Sequence, residues 1–293
     1  MNFDKFSQEY EKIHDRNIRI FGESSEYFTK YKVKILNYFY HKNKINKTIK
    51  LLDLGCGIGK IERYIFSYFP QIEVYGIDPS KESISVASST IKGKAIFSTC
   101  DGKNIPFDNN FFDAVLFSCV LHHIPPTNRK QILDESYRIL KENGYLFIFE
   151  HNPWNLLTRY VVKNCIFDVD APLLNKKEAV ALFQNSKFFI KETGYIVFFP
   201  KILKWFRKFE RKLGWCPLGA QYFIAAQKIS FLTPKISASR RDKSFLRPSN
   251  FRGSKRQASF PSSFSLCENL ISEGKEEGKA FFGIHCDSAS QRG

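Results

Sequence analysis

The run Leu51-Leu52-Asp53-Leu54-Gly55-Cys56-Gly57-Ile58-Gly59 decides how this chain folds. An apolar stretch, Ile49–Leu54, reads as a buried strand, and Ile61, Ile65 and Phe69 follow it at helical spacing. The glycines therefore sit where a strand turns into a helix. Glycine tolerates positive φ there and lets the backbone approach a ligand held at the helix N-terminus. A dinucleotide-binding loop of the G-x-G-x-x-G type would need glycine at position 60, which is Lys60. The loop thus has the chemistry of a ligand cradle but a different spacing.

Outward from this turn the pattern alternates. A second apolar run, Ile72–Ile77, is followed by a helix over about Ser80–Ser89, and strands are predicted at Ala95–Thr99 and Phe112–Cys119. A helix at Thr127–Leu140, stopped by Asn143-Gly144, leads to a strand at Tyr145–Glu150. Parallel strands joined by right-handed helical crossovers need both faces covered, so the fold class expected is α/β, a doubly wound, mostly parallel sheet.

Before the first strand, Phe3, Phe6, Tyr10 and Ile13 and then Tyr27, Tyr31, Ile35 and Tyr38 repeat at helical spacing. They predict an N-terminal helical cap over 1–45, ahead of a main domain over 46–228. After Glu150 the reading is a helix around Trp154–Val162, a loop around Asp168–Pro172 and a helix from Asn175 capped with Glu178 in its first turn. Two apolar runs, Phe188–Phe199 and Tyr222–Ala226, are expected to close the sheet as an antiparallel pair.

The Asp-x-Gly-x-Gly-x-Gly spacing at Asp53–Gly59 resembles the S-adenosylmethionine (SAM) loop of class I methyltransferases, and the resemblance extends over most of residues 1–228. It implies SAM as cofactor and a Rossmann-like methyltransferase fold. By it, Gly55, Gly57 and Gly59 contact the methionine part and sugar of SAM, and Asp53 orients the loop or meets the methionine ammonium. Cys56, Pro79 and Ser118 are placed in the same pocket. Asp78 ends the second strand, where a carboxylate can accept both ribose hydroxyls of an adenosine; it can also simply cap the next helix. Asp101-Gly102 with Ile105-Pro106-Phe107 resembles the segment that holds the adenine, with Asp101 accepting from the adenine amino group and Gly102 beside the ring.

The stretch Phe112–Ile124 looks like the fourth strand and exit loop of small-molecule methyltransferases of the ubiquinone/menaquinone-methylating type. His122 or His123 can serve as general base on an acceptor hydroxyl or shape the pocket; the residues leave both open. Glu150 and His151, leaving the fifth strand at the same sheet edge, are second candidates for acceptor binding or proton removal, or they form a plain His-Asn-Pro turn. Methyltransferases acting on amino groups of bases or glutamine carry Asn/Asp-Pro-Pro-aromatic after the fourth strand. Here Ser118-Cys119-Val120-Leu121 stands in that place, which argues against them. Asn164–Asp168 and Pro217–Tyr222 resemble bacterial methyltransferases of unassigned acceptor, some acting on surface-glycan or lipid-linked precursors. The expected acceptor is therefore a small molecule, a glycan or a lipid-linked compound, with the N-terminal helices and Tyr10 closing over it as a lid.

Residues Lys201–Leu213 read as an amphipathic helix, with Ile202, Phe206, Phe209 and Leu213 on one face and Lys201, Lys204, Arg207, Lys208, Arg211 and Lys212 mostly away from it. Such an element packs on the core as a lid, or makes peripheral contact with an anionic membrane. From residue 229 serine, lysine and arginine disperse among isolated phenylalanines, and 229–293 is expected to be a disordered basic tail. Of 293 residues, 43% are hydrophobic and 16% aromatic, enough for a packed globule. The net charge of +16 favours an anionic partner without choosing one, so an RNA-binding protein or RNA methyltransferase is the alternative. No RNA-binding module or arginine-rich motif stands out, and nucleic acid is not the expected partner. The seven cysteines form no CxxC pair, so neither a metal nor a disulfide framework is expected. With no basic-then-apolar leader and no long apolar run, a cytoplasmic protein is expected.

Overall fold

The computed structural model describes residues 9–45, 48–101, 104–168, 171–184 and 186–229. Phe3, Phe6, Gly102 and nearly all of the 229–293 tail lie outside the described residues, as does the side chain of Tyr10.

Seven strands form one sheet in the order β3-β2-β1-β4-β5-β7-β6. They are β1 (Ile49–Leu54), β2 (Ile72–Asp78), β3 (Ala95–Thr99), β4 (Phe112–Ser118), β5 (Leu140–His151), β6 (Phe188–Ile196) and β7 (Gln221–Lys228). The first five are parallel neighbours, and β7 runs antiparallel to both β5 and β6. This is the expected doubly wound, mostly parallel sheet with its last two strands as an antiparallel pair. Strand order reverses between β1 and β4, so their carboxyl ends open a crevice.

Alternation along the strands divides the core into two layers. Leu51, Ala114, Leu116, Phe147, Phe149 and Phe223 face one side, where α2 (Ser25–Lys42) brings Val33, Leu36 and Phe39 against them. Leu52, Val115, Phe117, Leu146, Ile148 and Tyr222 face the other, against Ile132 and Leu133 of α5 (Pro126–Ile139) and Ala179 and Phe183 of α7 (Lys176–Gln184). Phe39 meets Phe147 edge-on at 5.0 Å. Helix α1 (Tyr10–Ile18) precedes α2, α3 (Glu62–Tyr68) and α4 (Lys81–Thr90) follow the first two strands, and α6 (Leu156–Lys163) follows β5. Asn175 caps α7 as expected: its Oδ1 accepts from Glu178 N at 3.0 Å, while its own N–H donates to Glu178 Oε2 at 2.9 Å.

Three expectations are corrected. Helix α5 stops at Ile139, before Asn143-Gly144, because Leu140 already turns extended at ψ 138° and pairs with Phe112. Asn143, at φ 64°, instead carries the irregularity that shifts β5 against β4. On α2 the buried stripe is Phe28, Lys32, Val33, Leu36, Phe39 and Tyr40, one position round from the tyrosines that marked it in the sequence. The 201–213 segment is a kinked, tighter 3-10 helix, and its apolar face is not packed on the core: Ile202 is 79% and Trp205 66% exposed. What anchors it is the buried Glu210, which accepts from Tyr31 Oη at 2.7 Å and from the N–H groups of Phe198 and Phe199 at 3.0 Å each.

Candidate active site

The glycine loop is held by the end of the neighbouring strand. Gly55 N and Cys56 N donate to Ile77 O at 2.8 and 3.1 Å, and Gly57 N donates to Asp78 Oδ2 at 2.9 Å. Asp78 Oδ1 accepts from Ser80 N at 2.9 Å, and Ser80 caps α4 through its Oγ. Gly55 sits at φ 77°, and a Cβ there would fall 2.5 Å from Val120. Gly57, at φ 54°, has nothing within 4 Å of an added Cβ, so its open side is free for a ligand. Gly59 turns away, toward Ala87 and Ile91, and lets α4 come close.

The open side of Gly57 faces a cavity of about 250 Å³ at the carboxyl edge of the sheet. Asp53, Gly55, Cys56, Gly57, Asp78 and Pro79 line one end, and Ser118, Cys119, His123, His151 and Asp168 line the other. Asp101 is exposed at the end of β3, outside this lining. The walls between are mostly apolar, with Ile18, Phe21, Phe28, Val161 and Phe167, and also carry Lys32 and Lys60.

A cationic ligand fits the glycine end. Asp53 is 1% and Glu62 0% exposed, and Asp53 Oδ1 has no hydrogen-bond partner. Burial pushes the Asp53 carboxyl up to about 7, although Glu62 and Lys32 oppose the rise; burial and the nearby Asp53 push Glu62 well up too. Asp53 lines the cavity with an acceptor oxygen unused, and the ammonium of the methionine part of SAM would supply it a donor. Asp78 retains acceptor capacity for ribose hydroxyls on oxygens already fixed by two backbone amides.

At the other end, burial and the Glu150–His122 contact organise the polar groups. His122 is 1% exposed and Glu150 0%. Both stand behind the cavity wall, whereas His123 and His151 line it. Glu150 Oε1 accepts from Leu121 N at 2.7 Å, and its Oε2 lies 2.6 Å from His122 Nδ1. Burial would raise the Glu150 carboxyl, but His122 outweighs it and holds it below the usual range; an ionised carboxylate only accepts, so Nδ1 donates. Burial works against charge on His122 too, yet Glu150 and Asp168 bring its pKa up to about 10. Asp168 Oδ1 is 3.4 Å from His122 Nε2 and 3.3 Å from His123 Nε2. These histidines overcome the effect of burial and hold the Asp168 carboxyl well below normal.

The loop after β4 carries a strained residue, Cys119, at φ 60°. Lys32 Nζ donates to Ser118 Oγ at 2.9 Å and to Cys119 Sγ at 3.1 Å. Burial would raise the thiol, but His151 and Lys32 bring it down to about 7. His14 of α1 also reaches the cavity; burial, with Lys60 beside it, lowers its pKa to about 3 and keeps it neutral. The turn after β5 is built by Asn152, whose Nδ2 donates to Pro217 O at 2.8 Å and Gly219 O at 2.7 Å.

Sequence reasoning missed His14, Lys32, Cys119 and Asp168 as members of the site. Lys32 had a signal, a lysine four residues after Phe28 and four before Leu36 on an apolar stripe.

The methyltransferase domain family matches residues 52–148, from within β1 to within β5. Residues 52–148 form a class I, SAM-dependent methyltransferase domain. The chain is 28% identical to the demethylmenaquinone methyltransferase of Thermotoga maritima over 153 residues, covering 52% of this chain and 61% of the relative. To the tRNA N(3)-methylcytidine methyltransferase of Drosophila melanogaster it is 29% identical over 128 residues, 40% of this chain and 39% of the relative. The chain thus spans less than two thirds of the length of either. A solved SAM-dependent methyltransferase of Thermotoga maritima superposes with a TM-score of 0.52 at 17% identity, over 77% of this chain and 98% of that one, which shows the shared fold.

Proposed function

We propose that this protein methylates a small-molecule, glycan or lipid-linked acceptor, with SAM held at the glycine end of the cavity and the acceptor at the histidine end. The observation that carries this reading is the continuity of the cavity, from Gly57 and Asp78 to His123, His151 and Asp168. Bound SAM supplies a methyl group made electrophilic by its sulfonium charge. The protein's own part is mostly positioning. Gly57 and Asp78 fix the adenosyl end, and Asp53 takes the ammonium. His123 and the Cys119–His151 pair stand where an acceptor hydroxyl would lose its proton.

The apolar walls favour an apolar or lipid-linked acceptor over a polyanion. Exposed aromatic and aliphatic side chains support the same choice: Trp205, Phe206 and Ile202 stand beside Lys201, Lys204 and Lys208 on the 201–213 segment, a combination suited to peripheral contact with an anionic membrane. Among the described residues no helix is long and apolar enough to cross one. The quinone and tRNA acceptors in the relatives' names belong to those proteins.

Calorimetry with the full chain tests the donor half: SAM should bind saturably, and Asp78→Ala should weaken it. Incubation with methyl-labelled SAM and cell extract, split into lipid, small-molecule and RNA fractions, tests the acceptor half. Label in the lipid or small-molecule fraction is expected, and label confined to RNA would overturn this choice.

A further inference from the structure

The geometry points to a binding site for one divalent transition-metal ion of the Zn²⁺ type, formed by His122, His123 and Asp168 at the acceptor end of the cavity. One ligand atom from each residue lies within 4.8 Å of the other two. Asp168 Oδ1 is 3.4 Å from His122 Nε2 and 3.3 Å from His123 Nε2. In a tetrahedral site with ligands about 2.0–2.1 Å from the ion, neighbouring ligand atoms stand roughly 3.3 Å apart. The side chains therefore already sit at the spacing of one edge of a coordination polyhedron.

The support behind the ligands is a separate observation. His122 donates through Nδ1 to Glu150 Oε2 at 2.6 Å, and Glu150 is itself fixed by Leu121 N at 2.7 Å. A metal-binding imidazole is commonly oriented in this way, its second nitrogen donating to a carboxylate while Nε2 faces the ion. Burial is graded across the cluster. The side chains of His122 and Glu150 are 0% and 1% exposed, those of Asp168 and His123 13% and 27%. One side of the cluster is closed by protein and the other opens on the cavity.

Two imidazoles and one carboxylate with an open position make the donor set of a catalytic rather than a structural site. The ion takes the place of the proton between His122 Nε2 and Asp168, and that proton leaves to solvent. If the methyltransfer proposal holds, the open position takes the acceptor's oxygen and lowers its pKa, so the acceptor would be a hydroxyl compound. The cysteine spacing gave no hint of this site because no cysteine is among its ligands.

The test uses the full chain dialysed against EDTA and titrated with Zn²⁺, and with Co²⁺ as a visible-absorption probe. One ion per chain is expected, with a nitrogen/oxygen Co²⁺ spectrum free of sulfur charge transfer. Asp168→Asn and His123→Gln should each weaken binding tenfold to a hundredfold, whereas His41→Gln, outside the cluster, should not. Histidine NMR signals of the unsubstituted protein give a readout that needs no variant: those of His122 and His123 should shift on Zn²⁺ addition. No saturable binding, wild-type affinity in both variants, or unmoved His122 and His123 signals would overturn the site. SAM titrated into the same metal-free protein keeps the two proposals apart, since SAM binding without Zn²⁺ binding defeats this one alone.

Discussion

Gly57 donates its backbone N–H to the Asp78 carboxylate at 2.9 Å, so the residue proposed to meet the ribose also holds the loop proposed to meet the methionine part. Removing Asp78 therefore loses two things together. Hydrogen bonds to a charged group contribute about 1.5–3 kcal/mol, so Asp78→Ala should weaken SAM binding by at least about tenfold and lower the melting temperature. Asp78→Asn keeps one acceptor and should fall between. Calorimetry and thermal unfolding of the three proteins check this, and an unchanged affinity in the alanine variant would refute it.

The Asp53 carboxyl, pushed up to about 7 by burial, gives a signed pH prediction. Its folded pKa lies above the unfolded value, so the folded state holds an extra proton between roughly pH 4 and 7. Its contribution to stability is present below that window and is lost as pH rises through it. Asp53→Asn removes this loss, so the variant should gain on the wild type between pH 5 and pH 8. The gain should grow with pH across that window. SAM affinity should move the other way in the wild type, rising with pH toward 7 as the carboxylate forms to meet the ammonium. Denaturant titrations and calorimetry at several pH values measure both, and a difference in stability that ignores pH would contradict it.

Cys119, brought down to about 7 by His151 and Lys32, should behave as a thiolate near neutrality. Alkylation by iodoacetamide, followed by mass spectrometry of the Cys119 peptide, is expected to rise with a midpoint near pH 7. Lys32→Met and His151→Gln should each move that midpoint upward. A wild-type midpoint at the ordinary thiol range would rule the pairing out.

Glu210 anchors the 201–213 segment through three accepted hydrogen bonds. Glu210→Ala strands Tyr31 Oη and two partly buried amides, at a cost of about 1–3 kcal/mol. Limited trypsin digestion should then cut at Lys204, Arg207 or Lys208 faster than in the wild type. Equal cleavage rates would show that the segment is held elsewhere.

The glycine loop, Asp78 at the end of β2 and the strands up to β5 were readable in the sequence because each depends on neighbours in the chain. Asn175 and Glu178 cap α7 for the same reason. His14, Lys32, Asp168 and Glu210 were not readable, since packing brings each to partners far along the chain: Lys32 to Ser118, Asp168 to His122, Glu210 to Tyr31. Asn143-Gly144 misled because the same dipeptide that ends a helix also serves a strand irregularity. The tyrosines of α2 misled because an amphipathic ring at the margin of a buried stripe looks like its centre.

Strand β7 lies inside the sheet, between β5 and β6, yet comes last of the seven along the chain. On the ribosome, β1 to β5 emerge first, and β5 then presents a hydrophobic unpaired edge. That edge stays open to wrong partners until Gln221–Lys228 has been synthesised and slots in. A nascent chain stalled before Gln221 is thus the form of this protein most in need of a chaperone.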